Sequence, residues 1–326
     1  AEGGRALSTF CGLLLDKELH HPDEKVRKDS GELVALLTPI VKAFITDNGW
    51  TATTLSQQVF GGHGFIKEWG MEQFVRDARI NMIYEGTNGI QALDLLGPKV
   101  LGNQGATLKK FGKLIAQLVE EEGVNEKMSE FITPIAVLGE QMTKFTTEIG
   151  FKGMQNPDDV GAAAVDYLRV AGHLVFGYLF ARMAQVALRE IDAGNADAFY
   201  QGKLQTARFY FAKLFPETLT LMRTARAGSQ SLMDSDAALA CVQSLGRAGE
   251  YEIHLGGSRR DCPAFASRYV AQPYFYPDPQ RDCTAFENWL RALDAVEHFD
   301  FILPVTDATI LPANALREQL RGRVIL

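Results

Sequence analysis

The segment MSEFITPIAVLGEQMTKFTTEI, residues 128–149, has the most regular apolar spacing in the chain. Two positions of every seven are apolar and in phase: Met128, Phe131, Ile135, Leu138, Met142, Phe145 and Ile149. This spacing places one continuous apolar stripe along an α-helix. A stripe this short suits a bundle helix better than a free coiled coil, so the segment predicts a helix packed lengthwise in a bundle. Pro134 should bend or break this helix unless the helix begins there.

Helical spacing extends outward from this segment over about residues 26–240, where no convincing alternating strand is found. The apolar pattern predicts helices near residues 24–48, 51–60, 71–83, 108–121, 160–191, 197–214 and 217–227. Gly49 is expected to end the first of these helices. The predicted fold class is therefore mainly α, with a helical bundle followed by a second helical domain.

The pattern changes near residue 240, where short apolar runs begin to alternate with helix-like segments. Residues 251–255 (YEIHL), 299–305 (FDFILPV) and 323–326 (RVIL) are strand candidates, whereas residues 285–298 and 308–321 have helical spacing. This order indicates part of a parallel α/β sheet. Residues 260–283 contain four prolines and are expected to be irregular. The tail is thus predicted to be a short, incomplete α/β segment.

Composition narrows the possible functions. The 326 residues predict about two domains, and 46% hydrophobic with 22% charged residues disfavours disorder. The 33 basic and 40 acidic residues give a net charge of −7, which disfavours a nucleic-acid partner. The most apolar stretch, residues 170–181, is too short to span a membrane.

The cysteines and the amino terminus bear on metal binding and on compartment. Four cysteines lack the CxxC grouping of a zinc site and are too sparse for a disulfide framework. The first residues, AEGGRALSTF, resemble neither a signal peptide nor a transit peptide. We therefore expect no metal site and a cytoplasmic location.

The densest chemical signal is QQVFGGHGFIKEWGMEQFVRDARINMIYEGTNGIQ, residues 57–91. Gly61 and Gly62 allow backbone to approach a ligand closely, but a tight turn between helices has the same composition. Glu85 places a carboxylate at a connection between two helices, and Thr87 is a good N-cap for the next helix. Taken alone, these residues favour a structural interpretation: an exposed turn carboxylate and a cap.

The same block resembles the carboxy-terminal helical domain of the flavin-dependent acyl-CoA dehydrogenases. That family pairs Q-x-x-G-G-x-G-[YF] with a later R-D-[AS]-[RK] and I-Y-E-G-T, and the matching residues here are 58–65, 76–79 and 83–87. Gln58 precedes Glu85 by 27 positions, as in medium-chain-type members. The resemblance implies a C-terminal bundle over residues 1–105. Residues 106–238 resemble the additional helical domain of the longer bacterial-type members.

The resemblance implies FAD-dependent α,β-dehydrogenation of an acyl-CoA thioester. Glu85 would abstract the α-proton while the β-hydride passes to the flavin, and Tyr84 and Gly86 would contact the substrate. The residues implied to bind the cofactor are Gln58, Gly61, Gly62, Thr87 and Asn88. Implied partners are acyl-CoA, an electron-transfer flavoprotein as electron acceptor, and further copies of the chain in a homo-oligomer.

Several departures from the family pattern limit what it implies. Gly89 stands where some members have a glutamine that contacts the cofactor. The N-terminal helical domain and the middle β-domain of the family are not in these residues, so we expect a fragment without a complete active site. Residues 239–326 resemble part of a pre-ATP-grasp domain. The alternative is a non-catalytic helical interaction or oligomerisation module fused to a partial nucleotide-binding domain.

Overall fold

The computed structural model describes residues 1–229, 237–260 and 262–325. These residues form two compact units, one from Ala1 to Ser229 and one after residue 229. The two helical domains predicted from the sequence lie largely within the first unit. The division of the helical part at residue 105, and the boundary predicted at residue 238, stay predictions.

The first unit is built from long α-helices joined by short turns. They are α1 (Glu2–His20), α2 (Glu24–Val59), α3 (Met71–Ile80), α4 (Asn88–Asp94), α5 (Ala106–Glu122), α6 (Ser129–Gln155), α7 (Asp158–Asp192), α8 (Ala198–Phe209) and α9 (Glu217–Ala225). Short π-helical segments, Leu95–Leu101 and Tyr210–Leu214, continue α4 and α8. The predicted fold class, mainly α, is confirmed.

Helix α7 is the central element of this unit, because α1, α2, α4, α6, α8 and α9 all pack against it. It contains the apolar stretch 170–181. By length and composition α7 could cross a membrane, but 78% of its most apolar window is buried inside the unit. That burial is typical of the core helix of a helical bundle.

The heptad stripe begins at Met128, immediately before α6, and continues along that helix. All of its members are buried in the core: Met128, Phe131, Ile135, Leu138, Met142, Phe145 and Ile149. The predicted bundle helix is therefore confirmed. Helix α6 begins at Ser129 and runs through Pro134, so the expected break at that proline does not occur. A proline removes one backbone hydrogen bond, and burial of the adjacent Ile135 and Leu138 outweighs that loss.

The structure corrects the expected boundary at Gly49. Helix α2 is a single helix of 36 residues from Glu24 to Val59 and passes through Gly49 without ending. Side chains on both sides of the glycine are fixed: the Asn48 amide donates to the carbonyl of Phe44, and Arg79 of α3 lies over the Trp50 ring. Tertiary contacts thus override the local signal for a helix end.

A buried polar network joins α7 to the segments that follow it. His173 Nδ1 lies 2.9 Å from Tyr210 Oη, and His173 Nε2 lies 3.1 Å from Glu217 Oε2. Arg169 Nη2 donates to the other oxygen of Glu217 at 2.6 Å. Each imidazole nitrogen therefore has a partner, as a buried polar ring requires.

This network predicts an acid-dependent loss of stability. The hydrogen bond from His173 and the Arg169 guanidinium lower the pKa of Glu217 from 4.5 to about 2. A depressed carboxyl pKa stabilises the fold above the unfolded-state value, and that contribution disappears as the pH falls towards 2. Glu217→Gln should therefore destabilise the chain at pH 6, and its difference from wild type should shrink below pH 4.5.

Urea unfolding followed by circular dichroism from pH 6 to pH 3 measures this difference. The control is Glu140→Gln, since Glu140 forms only an exposed ion pair with Lys144 at 3.8 Å. A pH-independent difference for Glu217→Gln would contradict the prediction.

The second unit contains helices α10 (Ala237–Ala248), α11 (Cys283–Glu297) and α12 (Asp307–Ala315), and strands β1 (Ile253–Gly257), β2 (Val270–Phe275), β3 (Phe301–Ile302) and β4 (Arg323–Val324). In the described part, β1 pairs with β2 and β3 pairs with β4, both in parallel. The predicted parallel α/β character is therefore present as two separate pairs of strands.

The expectation that residues 260–283 are irregular was wrong for Val270–Phe275, which form strand β2. Pro273 lies within this strand, opposite Leu255 of β1. Proline lacks a backbone N–H and is tolerated in an edge strand, where one side of the backbone needs no partner. Among the described residues β2 pairs only with β1, which explains how a proline-containing segment forms a strand.

Candidate active site

Glu85 lies on a short turn between α3 and α4. The amides of Ile83 and Tyr84 donate to the carbonyl of Ile80, and the amide of Asn88 donates to the carbonyl of Met82 at 3.2 Å. These bonds close the base of the turn and leave Glu85 at its tip.

The backbone at the tip is unusual. Glu85 has a φ of 34° and Gly86 a φ of 68°, so both lie in the left-handed region. A non-glycine residue there carries strain of about 1–3 kcal/mol and is found most often at functional sites. Gly86 suits the turn because it has no Cβ, whereas Glu85 has the disfavoured conformation imposed on it.

The substrate residues implied by the sequence, Tyr84, Glu85 and Gly86, are brought together and are all exposed. Half of the Tyr84 surface is open to solvent. Within the described residues, the Glu85 carboxylate forms no hydrogen bond or ion pair. The carboxylate is therefore accessible from outside this chain.

Thr87 occupies the N-cap position of α4, as predicted, but its hydroxyl makes no capping hydrogen bond. The backbone carbonyl of Thr87 accepts from the amide of Gln91 at 3.1 Å. The exposed hydroxyl of Thr87 remains available for a ligand. Thr87 is thus an N-cap by backbone conformation only.

The glycine turn follows the end of α2 as a 3-10 helix from Gly61 to Phe65. Gly61 has a φ of 58°, and a Cβ at Gly61 or Gly62 would meet no atom within 4 Å. The backbone at these two glycines is therefore open to an approaching ligand, and the neighbouring Gln58 is exposed.

Gly64 has a different role from the first two glycines. It is buried, and a Cβ there would lie 2.3 Å from the carbonyl oxygen of Gln57. The side chain of Gln57 donates to the carbonyl of Gly64 at 3.0 Å and holds the turn against the end of α2. His63 packs edge-on against Trp69, which agrees with a non-catalytic role. The structural importance of Gln57 is not apparent from the sequence.

Exposed apolar side chains are concentrated around both turns, between residues 55 and 93. They are Leu55, Val59, Phe60, Phe65, Ile66, Trp69, Phe74, Ile80, Ile83, Tyr84, Ile90 and Leu93. Large exposed apolar areas mark interaction or ligand-binding surfaces. We call this set the apolar surface.

Asn88 is half-buried and bonded to α2. Its side-chain nitrogen donates to Asp47 Oδ1 at 2.7 Å and to Thr46 Oγ1 at 3.1 Å, and its oxygen accepts from Lys42 Nζ at 2.8 Å. These bonds use both N–H groups of the amide and one lone pair of its oxygen, so the Asn88 side chain is fixed on α2. Lys42 and Asp47 carry no motif, so sequence reasoning could not identify them.

Arg79, in the segment 76–79, also fixes the site. It lies over the Trp50 ring of α2, 5.5 Å from its centroid, and donates to the sulfur of Met82 at 3.4 Å. Arg79 thus links α2 to the residue at which the Glu85 turn begins. This contact gives residues 76–79 a part in holding the Glu85 turn.

Comparison with known families agrees with this arrangement. Residues 25–96 match the model described as the acyl-CoA dehydrogenase C-terminal domain, and both motifs lie inside this match. Residues 109–236 match the model described as acetyl-CoA dehydrogenase C-terminal like. The helical part of this chain belongs to the acyl-CoA dehydrogenase family.

Curated acyl-CoA dehydrogenases match the same region. The 3-methylmercaptopropionyl-CoA dehydrogenase of Ruegeria pomeroyi is 37% identical over 220 residues, which cover 66% of this chain and 37% of that protein. A broad-specificity linear acyl-CoA dehydrogenase of Mycobacterium tuberculosis is 32% identical, over 68% of this chain and 38% of its own length. A butyryl-CoA dehydrogenase of Syntrophomonas wolfei is 28% identical, over 72% and 39%. The match thus spans less than two-fifths of each of these acyl-CoA dehydrogenases.

These comparisons do not test two of the predictions. Both family matches end by residue 236, so the resemblance of residues 239–326 to a pre-ATP-grasp domain stays a prediction. The roles of individual residues in acyl-CoA dehydrogenation also stay predictions. Among the described residues, no group of three or more His, Cys, Asp or Glu side chains is arranged to hold a metal ion.

Proposed function

We propose that the first unit supplies the general base for FAD-dependent α,β-dehydrogenation of an acyl-CoA thioester, and that Glu85 is that base. The observation that carries this proposal is the backbone of Glu85, a carboxylate in the left-handed region at the tip of an exposed turn. Glu85 also matches the glutamate of the family motif I-Y-E-G-T, which further supports this role.

Glu85 would take the α-proton of the thioester as a general base. A carboxylate in water is a weak base for such a proton, so catalysis requires a pKa raised towards the working pH. Desolvation raises a carboxyl pKa, and the exposed side chains of Ile83 and Tyr84, next to Glu85 in sequence, would help to exclude water once a partner covers them. Covering this part of the apolar surface would therefore activate the base.

The remaining residues of the turn would position the substrate. Gly86 lacks a Cβ, and the thioester would lie close to its backbone once the Gln91 side chain, whose nitrogen lies 2.7 Å from the Cβ position, moves aside. The backbone amide of Glu85 would donate to the thioester oxygen as negative charge develops there. Tyr84 would form one wall of the acyl pocket. These roles place the α-carbon beside the Glu85 carboxylate.

Two exposed turns would each contribute hydrogen-bonding groups to an FAD site. One is the open backbone at Gly61 and Gly62 with the exposed Gln58, and the other carries the exposed hydroxyl of Thr87. When bound, FAD would accept the hydride that leaves the β-carbon as the α-proton passes to Glu85.

The proposed partners follow from the same family. They are acyl-CoA as substrate, an electron-transfer flavoprotein as electron acceptor, and further copies of the chain. We also propose a cytoplasmic location and a place in fatty acid metabolism.

The alternative function, a non-catalytic interaction or oligomerisation module, is favoured by one observation. Exposed apolar side chains lie on and beside both turns, as an interface between proteins requires. An interface alone does not explain why Glu85 has a strained backbone, so we favour the catalytic proposal.

A chimaera tests the proposal. The Ruegeria pomeroyi 3-methylmercaptopropionyl-CoA dehydrogenase would carry this whole chain in place of its matching segment. We expect the purified chimaera to hold flavin, and its flavin absorbance to bleach when acyl-CoA is added without oxygen. A folded chimaera that holds flavin but does not bleach with short- or medium-chain acyl-CoA would overturn the catalytic proposal and leave the interaction module.

A further inference from the structure

We infer that Asn88 is a positioning residue, which holds the Glu85 turn on α2, and that it is not a cofactor ligand. This inference rests on the proposed role of Glu85. It concerns a group that lies three residues from the base and does not touch the substrate.

The first step is the orientation of the Asn88 amide. Its oxygen faces the Lys42 ammonium at 2.8 Å, and its nitrogen faces the Asp47 carboxylate at 2.7 Å. A flipped amide would place its nitrogen against the ammonium and its oxygen against the carboxylate. The two opposite charges therefore select one orientation, and charge-assisted bonds of this kind are stronger than neutral ones.

The second step is the connection from Asn88 to the turn. Asn88 is the first residue of α4, and its backbone amide donates to the carbonyl of Met82. The segment from Met82 to Asn88 is thereby closed into a loop with Glu85 at its centre. The side chain of Asn88 fixes one end of this loop to residues 42–47 of α2.

The third step is the strain at Glu85. A left-handed backbone at a non-glycine residue persists only where the surrounding structure enforces it. Glu85 is exposed and makes no side-chain hydrogen bond among the described residues, so the enforcement comes from the rest of the loop, where the Gln91 amide donates to the carbonyl of Gly86 at 3.4 Å, and from its two ends. Asn88 provides it at one end, and Arg79 contacts Met82 at the other.

Hydrogen–deuterium exchange on the whole chain tests the inference without cofactor or substrate. In Asn88→Ala the peptide that contains the amides of Ile83, Tyr84 and Asn88 should exchange about tenfold faster, since the loop loses the charge-assisted bonds that hold one of its ends. The matched control is Asn81→Ala, because among the described residues the Asn81 side chain, just after α3, bonds only to the carbonyl of Asp77 in that helix. Equal exchange in Asn88→Ala and wild type would overturn the inference.

The chimaera gives a second, functional readout. Asn88→Ala should lower the rate of flavin bleaching at saturating acyl-CoA about tenfold, while flavin content and half-saturating substrate concentration change less than twofold. A residue that binds the cofactor would lower flavin content instead, and that result would overturn the inference.

An exchange of donor and acceptor tests the specific bond. Asn88→Asp alone places two carboxylates side by side and should impair bleaching at least as much as Asn88→Ala. Combining it with Asp47→Asn restores one amide and one carboxylate, with the new carboxylate facing Lys42, and should recover most of the rate. No recovery in a folded double variant would count against the inference.

The two proposals fail in different ways. If Glu85→Gln bleaches at the wild-type rate, the proposed base is wrong. If Glu85→Gln is inactive and Asn88→Ala keeps the full rate, only the positioning role is wrong.

Discussion

Glu85→Gln in the chimaera is expected to slow substrate-dependent flavin bleaching by about 10²–10⁴-fold, the usual contribution of a positioned general base. Glutamine keeps the size and the polarity of the side chain but cannot take the α-proton. The left-handed backbone of residue 85 needs no change for this substitution, because both residues have the same Cβ. The loss should therefore appear in proton abstraction and not in folding.

Anaerobic stopped-flow absorbance measures this rate, and the flavin-to-protein ratio reports whether the site is intact. The matched control is Glu68→Gln, an exposed carboxylate of the same motif block. We expect Glu68→Gln to bleach at the wild-type rate. Rapid bleaching by Glu85→Gln would remove Glu85 from the mechanism.

Gly172→Val is expected to cause a large loss of stability. Gly172 lies in α7 where a Cβ would approach the Phe44 ring to 2.4 Å, and Phe44 is fully buried between His173 and Phe176. The ring cannot move without displacing these neighbours. Overpacking of this severity costs about 3 kcal/mol, which lowers the melting temperature by about 6–12 °C in a unit of this size.

Thermal unfolding followed by circular dichroism tests this prediction. Gly161→Val is the control, since Gly161 lies on the same helix with open space at its Cβ position. The control should melt within about 2 °C of wild type, as exposed substitutions usually change stability by no more than about 0.5 kcal/mol. Equal melting temperatures for the two variants would show that α1, α2 and α7 pack less tightly than described.

The helical fold could be predicted from the sequence because the residues that form the core recur at helical spacing along the chain. The stripe predicted the start and the buried face of α6 but ended six residues before the helix does, and residues 160–191 predicted α7 to within two residues at its start. Such patterns reflect burial, which depends on which side of a helix a residue occupies. The same reasoning could not show that α2 continues past Gly49, because the contacts that stabilise it come from α3.

The second unit was harder to predict, because one of its strands depends on pairing with a segment distant in sequence. Pro273 and its neighbours have the composition of a loop, and only pairing with β1 makes them a strand. Pairing between segments about twenty residues apart leaves no local periodicity. The strand candidates near residues 253 and 301 were found because their own residues alternate or are continuously apolar.

The motif residues of the candidate site could be predicted from the sequence, but the contacts that hold the Glu85 turn in place could not. Glu85, Gly61 and Gly62 were identified by the family pattern, and the structure places all three on exposed turns. The contacts of Asn88 with Lys42 and Asp47 join residues more than 40 positions apart in sequence. Only a three-dimensional arrangement reveals why that asparagine matters.

Helix α2 sets the angular relation between the two turns. The Glu85 turn is fixed to residues 42–47 of this helix, and the glycine turn begins where the helix ends, at Val59. Each residue advances an α-helix by about 100° and about 1.5 Å. One residue inserted between Asp47 and Val59 would rotate the glycine turn by more than a quarter of a revolution about the helix axis, with every motif residue unchanged. The number of residues in this part of α2 is therefore as much a requirement of the site as their identity.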